Sequence, residues 1–193
     1  MKILIIDYRP GKETAEIVAN ATDAGHDIYI ASAEEPSLPH LKRDIKIGNK
    51  ADRIIHKIIG YISDSYHLHS TRPTSSLLSR IAEINPDVIH IYNIEEHYIN
   101  IPLTAYVLMK YKIPTLLTLE NPSRIYRDTK ALIKRRRHNK ELFTSTFSTW
   151  ELLHIASSSK EVTEDELAAD HPGYIVAEGK EAETYMRIYE AIR

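Results

Sequence analysis

The 193-residue sequence contains no cysteine, only six glycines and no long apolar run. The absence of cysteine excludes disulfide bonds and thiolate metal sites. No stretch approaches the roughly 18 consecutive apolar residues that a membrane-spanning helix requires. The short apolar run Ile3–Ile6 ends at Asp7, which indicates a buried strand and not a secretory signal peptide.

Charge is nearly balanced along the chain. The sequence has 25 Lys and Arg against 27 Asp and Glu, for a formal net charge of -2. Such a balance does not suggest a general nucleic-acid-binding protein, so no nucleic acid is expected as a partner. The composition is that of an ordinary globular protein, and we expect a cytoplasmic location.

Short apolar runs alternate with longer amphipathic segments, a pattern typical of a parallel sheet flanked by helices. Strands are predicted at Ile3–Asp7, Asp27–Ala31, Val88–Ile91, Pro114–Leu119, Leu152–Ala156 and Tyr174–Ala177, with a short one at Ile45–Ile47. Helices are predicted at Glu13–Asp23, Ala51–Tyr66, Thr74–Ile84, Pro102–Tyr111, Ser123–Lys140, Ser157–Leu167 and Lys180–Ile192. The expected fold is therefore an α/β, Rossmann-like, doubly wound fold. Its mainly parallel sheet would have about six to seven strands, with helices on both faces.

Four stretches carry a more specific pattern of strands, loops and helix starts. They are Ile47–Lys50 with Asp64–His67 and Ser70–Arg72, then Asn85–Leu103, Tyr111–Leu119, and Ile155–Lys160 with Tyr174–Gly179. The second is the most specific of the four, because its pattern extends over a strand, the loop after it and the start of the following helix. Together these stretches resemble the N-terminal domain of family 4 glycosyltransferases of the GT-B fold, in the bacterial capsule and exopolysaccharide branch. The resemblance covers roughly residues 45–179.

The resemblance implies a particular domain organisation. Residues 1–179 would form the Rossmann-like, acceptor-side domain, and residues 180–193 resemble the closing helix of the family, packing back on the same domain. The family's donor-binding domain, with its two glutamates eight positions apart, has no counterpart in this sequence. Because departing phosphates need electrostatic stabilisation, we expect the chain alone to be inactive in sugar transfer from a nucleotide sugar.

Candidate site residues come from loops that follow strands, because ligands bind beyond the carboxyl ends of parallel strands. The substrate-binding candidates are Tyr8, Arg9, Gly11 and Lys12 in the first loop, Asn93, Glu95 and His97 in the second, and Glu120, Asn121 and Arg124 in the third. No catalytic residue is assigned. The resemblance implies phosphate binding at the first loop, but its single glycine is a weak signal and favours a plain strand-to-helix turn.

Two further features have alternative interpretations. The resemblance places histidines where Glu95 and Glu120 stand, and these glutamates either face a ligand or are solvated loop acids. The basic run Lys134, Arg135, Arg136 and Arg137 is either a solvated helix face or, as the resemblance implies, the contact for an anionic acceptor or membrane surface. The second interpretation would place the protein peripherally at the inner membrane face. No metal and no other cofactor is expected.

The function expected from the resemblance is that of a glycosyltransferase-like acceptor-side domain. One alternative is the acceptor-side subunit of a two-chain glycosyltransferase for capsule or exopolysaccharide synthesis, with a separate donor-binding subunit and a glycan or lipid-linked acceptor as partners. Another is a non-enzymatic binding or regulatory module. A third alternative is an unrelated nucleotide-binding or effector domain on the same fold. A homodimer is an alternative to the separate donor-binding subunit.

Overall fold

The structure, a computed structural model, describes residues 1–63, 70–93, 96, 98–100, 103–104, 107–108, 111, 113–119, 173–177 and 182–192. The described strands are β1 (Lys2–Asp7), β2 (Asp27–Ser32), β3 (Ile45–Lys46), β4 (Val88–Tyr92), β5 (Thr115–Leu119) and β6 (Gly173–Ala177). The described helices are α1 (Lys12–Asp23), α2 (Lys50–Ser63), α3 (Thr71–Ile84) and α4 (Ala182–Ile192). Residues 103, 104, 107, 108 and 111 are also helical, within the predicted helix Pro102–Tyr111.

The described strands form one sheet in the order β3-β2-β1-β4-β5-β6. Every neighbouring pair is parallel. This order is that of doubly wound nucleotide-binding folds, in which the winding direction reverses between the first and fourth strands. The prediction of an α/β fold with a parallel sheet is confirmed. The predicted strand Leu152–Ala156 and the predicted helices Ser123–Lys140 and Ser157–Leu167 lie outside the described residues.

One face of the sheet packs against α3. Leu4 and Ile6 of β1 and Ile89 and Ile91 of β4 point to this face, because alternate residues of a strand face opposite sides. Leu77 and Ile81, one helical turn apart on α3, cover them and are almost fully buried. Most buried side chains on the two faces of β1 and β4 are apolar, as expected for strands covered on both sides, and Asp7 and His90 are polar exceptions.

The other face of the sheet packs against α1 and α4. Ile3 and Ile5 of β1, with Leu116 of β5, form one buried cluster with residues of both helices. The helical members of the cluster are Ile17 and Ala21 of α1 and Tyr185, Ile188 and Tyr189 of α4. The described helices therefore cover both faces of the sheet, and in folds of this kind a ligand binds at the carboxyl ends of the strands.

The described helices begin one to three residues from their predicted starts, and the starts of α3 and α2 have a local cause. α3 begins at Thr71, three residues before the predicted start, and it contains Pro73 in its first turn. Proline is tolerated there because the first backbone N–H groups of a helix have no intrahelical acceptor. α2 begins at Lys50, where Asn49 and Asp52 exchange hydrogen bonds between side chain and backbone, 2.9 and 3.0 Å long. This reciprocal cap sets the start of α2.

Candidate functional site

Asp7 lies at the carboxyl end of β1, where the winding direction of the sheet reverses. Its side chain is 2% exposed and accepts hydrogen bonds on both carboxylate oxygens. Oδ2 accepts from the Thr14 hydroxyl (2.8 Å), and Oδ1 accepts from the Arg9 backbone N–H (3.2 Å) and the Asn93 amide (3.0 Å). One buried carboxylate thus ties together the turn after β1, the first turn of α1 and the loop after β4.

Asn93 begins the loop after β4 in a left-handed conformation, with φ 50°. Asparagine tolerates this region better than most residues because its short polar side chain forms local hydrogen bonds. Its carbonyl accepts from the Glu96 N–H at 3.0 Å. Asn93, the first residue of the loop, is therefore fixed by two hydrogen bonds, one from its side chain to Asp7 and one from the Glu96 N–H to its backbone carbonyl.

The loops after β1 and β2 are joined by backbone hydrogen bonds, and we call residues 8–11 and 33–37 the paired loops. The Glu34 N–H donates to the Tyr8 carbonyl, and the Ser37 N–H donates to the Pro10 carbonyl, each at 2.8 Å. The Ser37 hydroxyl also donates to the Pro10 carbonyl, at 3.0 Å. Because these bonds satisfy loop backbone groups without regular structure, the paired loops form a defined surface at the edge of the sheet.

A polar chain of three side chains crosses the paired loops. The Tyr8 hydroxyl donates to Glu34 Oε1 at 3.0 Å, and Arg53 Nη2 of α2 lies 3.8 Å from the same oxygen. Arg53 also donates to the Ala33 carbonyl. Burial, followed by the hydrogen bond to Glu34, raises the pKa of the Tyr8 phenol. Within the described part of the chain, Glu34 Oε2 accepts no hydrogen bond, and the side chain is 33% exposed.

The start of α1 supplies the basic residues of the edge. Arg9 and Lys12 are exposed, and Lys12 lies 3.6 Å from Glu16 on the same helix. Gly11 is the N-cap residue, with φ -126°, and no side chain caps the helix. Any residue can adopt that extended conformation, so the backbone does not require glycine here.

A buried polar cluster lies beneath the edge, between β4, β5 and α4. His90 is completely buried, with Tyr189 on Nδ1 and Thr118 on Nε2, the latter at 2.8 Å. Burial lowers the pKa of His90 well below its ordinary value and raises the pKa of Tyr189. The neutral imidazole donates through one nitrogen and accepts through the other, and hydroxyl groups can match either role. This cluster joins α4 to the sheet.

The structure brings together the five sequence-predicted candidates that it describes. Tyr8, Arg9, Gly11, Lys12 and Asn93 gather around the carboxyl ends of β1 and β4. The remaining candidates lie outside the described residues: Glu95, His97, Glu120, Asn121, Arg124, Lys134, Arg135, Arg136 and Arg137.

Four residues of this edge were not among the sequence-predicted candidates: Asp7, Thr14, Glu34 and Arg53. For Glu34 the sequence did contain a signal. It follows Gly11 by 23 residues, directly after β2. An acidic residue about 20 residues after the first turn is typical of nucleotide-binding α/β folds. Arg53 carried no such signal, because only the fold brings α2 beside the paired loops.

No protein-family model and no curated protein matches this chain. The described residues contain no group of three or more His, Asp or Glu side chains placed to hold a metal ion. Among the described helices, none is both long and apolar enough to cross a membrane. The function proposed for this edge of the sheet therefore rests on its own residues.

Proposed function

We propose that the chain is a glycosyltransferase-like, acceptor-side domain that binds a hydroxyl-rich ligand at the carboxyl edge of the sheet. Sugar transfer from a nucleotide sugar would then need a donor-binding unit in addition to the residues described here. The observation that carries the proposal is the polar chain Tyr8–Glu34–Arg53 on the paired loops, beside the anchored Asn93 at the reversal point of the sheet.

The chemistry of this edge suits a sugar. Hydroxyl groups donate well to a carboxylate, and Glu34 has one such oxygen without a partner among the residues described. Arg53 and Tyr8 hold that carboxylate in place, so little side-chain freedom is lost on binding. Arg9 and Lys12 add positive charge for a ligand that also carries an anionic group.

The surroundings of Asp7 are consistent with a domain that binds a ligand but needs a further unit for sugar transfer. It lies at the reversal point, but both of its oxygens already accept hydrogen bonds and it is almost completely buried. A general base must reach the proton that it removes. Asp7 therefore positions the loops and does not act as a general base.

A second candidate function is a non-catalytic nucleotide-binding module. The position of Glu34 after β2 favours it, because an acid at this point of the fold accepts hydrogen bonds from a ribose diol. The two candidates share Glu34 as the hydroxyl-binding group. They differ in whether a nucleoside or a saccharide supplies the hydroxyls.

Titration calorimetry of the full chain tests the proposal, with three ligand sets: neutral oligosaccharides, nucleotides and nucleotide sugars. We expect saccharide binding, weakened about tenfold or more in Glu34→Gln, the loss of roughly one charged hydrogen bond. The matched control Glu83→Gln removes an exposed carboxylate on α3 and should bind as the wild type does.

The outcomes separate the candidates. Binding of nucleotides alone, with the same sensitivity to Glu34→Gln, would favour the nucleotide module. Equal affinities of Glu34→Gln and the wild type for the ligand would show that the ligand does not bind at this edge of the sheet. Measurable sugar transfer by the purified chain would contradict the expected lack of catalysis.

A further inference from the structure

α2 carries a row of isoleucines on its solvent side. Ile54, Ile55 and Ile58 are 49%, 54% and 54% exposed. At 3.6 residues per turn, these three positions lie within one stripe about 100° wide, and the exposed Ala51 falls in the same stripe. Scattered exposed apolar residues are ordinary, but a contiguous group on one helix face indicates a contact surface.

Two described polar residues of α2 turn toward the rest of the protein. Asp52 is half-buried and caps the helix through Asn49, and Arg53 is half-buried against Glu34 and the Ala33 carbonyl. A surface helix ordinarily turns its apolar stripe toward the core and its polar residues toward water. Among the side chains of α2 that the structure describes, the three isoleucines are exposed and Asp52 and Arg53 are half-buried, so the isoleucines are available for a contact.

Positive charge surrounds the isoleucine stripe. Lys42, Lys46 and Lys50 are exposed, and none of them forms an ion pair with an acid in the described ranges. Residues 40–58 contain six Lys and Arg against two Asp, in a chain whose net charge is -2. Lys50 lies one helical turn before Ile54, so charge and apolar surface adjoin on the same side of α2.

We propose that α2 and the preceding β3 segment dock on an anionic lipid surface. An interfacial helix has this combination, with aliphatic side chains entering the headgroup region and flanking lysines held by anionic lipids. A second copy fits poorly, since a twofold dimer would place this positive patch against itself. A protein partner is also disfavoured, because protein interfaces are depleted in lysine and enriched in aromatic residues, methionine and arginine.

Co-sedimentation of the full chain with vesicles tests this docking. One vesicle preparation is phosphatidylcholine alone, and the other contains roughly one part phosphatidylglycerol to two parts phosphatidylcholine, in keeping with a charged leaflet. We expect binding only to the anionic vesicles. The binding should fall strongly between about 0.1 M and 1 M NaCl, where the screening length shrinks from roughly 10 to 3 Å.

Two variants separate the apolar and the electrostatic contributions. The triple variant Ile54→Ser, Ile55→Ser, Ile58→Ser and the double variant Lys46→Glu, Lys50→Glu should each weaken vesicle binding about tenfold or more. The matched control Arg72→Glu, Arg187→Glu changes the net charge by the same amount at exposed positions of α3 and α4, and should retain binding. The thermal midpoint of the triple variant should not fall, because its three side chains are exposed.

Four results would overturn the proposal. They are no binding of the wild type to anionic vesicles, full binding by the triple variant, an equal loss in the matched charge control, or a concentration-dependent dimer in light scattering that the triple variant abolishes. The last result would assign the stripe to a second copy of the chain.

Discussion

His90 occupies an unusual position for a histidine, fully inside the protein with a hydroxyl group on each ring nitrogen. Both nitrogens keep partners while the ring is neutral, but a charged imidazolium would have to shed its hydration to remain there. Burial accordingly lowers its pKa well below the ordinary value. The same residue would titrate freely in the unfolded chain, near pH 6.5.

This difference predicts a loss of stability in acid. The unfolded chain binds a proton at His90 that the folded chain does not, so stability is fully present above about pH 6.5 and falls as the pH drops below that value. Urea unfolding at a series of pH values between 8 and 5 measures the slope. His90→Gln should lower stability throughout and flatten the slope by about one proton. An unchanged slope in the variant would assign the acid sensitivity to other groups.

Tyr189 and Tyr92 are both buried in the cluster around His90, but their hydroxyls differ. The Tyr189 hydroxyl pairs with His90, whereas the Tyr92 hydroxyl forms no hydrogen bond of good geometry among the described residues, although the Tyr185 side chain lies close enough to help raise its pKa. Burial raises the pKa of both phenols. The two hydroxyls offer a matched comparison, since each can be removed by changing tyrosine to phenylalanine.

Tyr189→Phe should destabilise the protein by about 1–3 kcal/mol, because it leaves a buried histidine nitrogen unpaired. Tyr92→Phe removes a poorly hydrogen-bonded buried hydroxyl and should leave the free energy of unfolding unchanged or slightly higher. Chemical denaturation of the two variants at pH 8 measures both effects. Equal losses would mean that the two hydroxyls are equally well satisfied.

At the scale of elements, glycine has different roles at the starts of α1 and α2. Gly48, between β3 and α2, has φ +62°, and a Cβ there would lie 3.1 Å from Pro73 Cγ. Gly11, before α1, is extended, and a Cβ would meet only the Ser37 hydroxyl at 3.6 Å. The turn between β3 and α2 therefore requires glycine, and the turn before α1 does not.

The same substitution at both glycines tests this difference. Gly48→Ser should cost about 1–2 kcal/mol of stability, because a left-handed conformation and close packing both oppose a side chain. Gly11→Ser should be neutral or stabilising, since serine is a preferred N-cap residue. Thermal unfolding of the two variants reports the contrast, and a larger loss in Gly11→Ser would contradict this account of the two turns.

Element boundaries were predicted best where a local cause sets them. β1 and β4 are short apolar runs that end in polar residues, and their ends in the structure lie within one residue of the predicted ends. α3 begins three residues before its predicted start, and its first turn includes Pro73, which the first turn of a helix accommodates. The Thr74 N–H donates to the Ser70 carbonyl at 2.9 Å, which closes the first turn of the helix around Pro73.

At the scale of the whole molecule, the sheet order decides which residues meet. Asn93 reaches Asp7 because β1 and β4 are neighbours, and Arg53 reaches Glu34 because α2 lies beside the loop after β2. Alternating apolar and amphipathic segments predict a parallel sheet but do not specify its strand order. The sequence therefore predicts Asn93 as a site residue from its position after a strand, whereas the contact between Glu34 and Arg53 depends on the tertiary structure.

The outward-facing isoleucines of α2 also bear on how the protein behaves in concentrated solution. With a sequence pI of about 6.6, the whole chain carries little net charge near neutral pH, so intermolecular repulsion is weak there. The lysines around the stripe supply local repulsion, which added salt screens, while sulfate strengthens the attraction between apolar surfaces. We expect colloidal stability to be greatest in dilute, mildly alkaline, low-salt buffer, and salting-out to begin at the surface of α2.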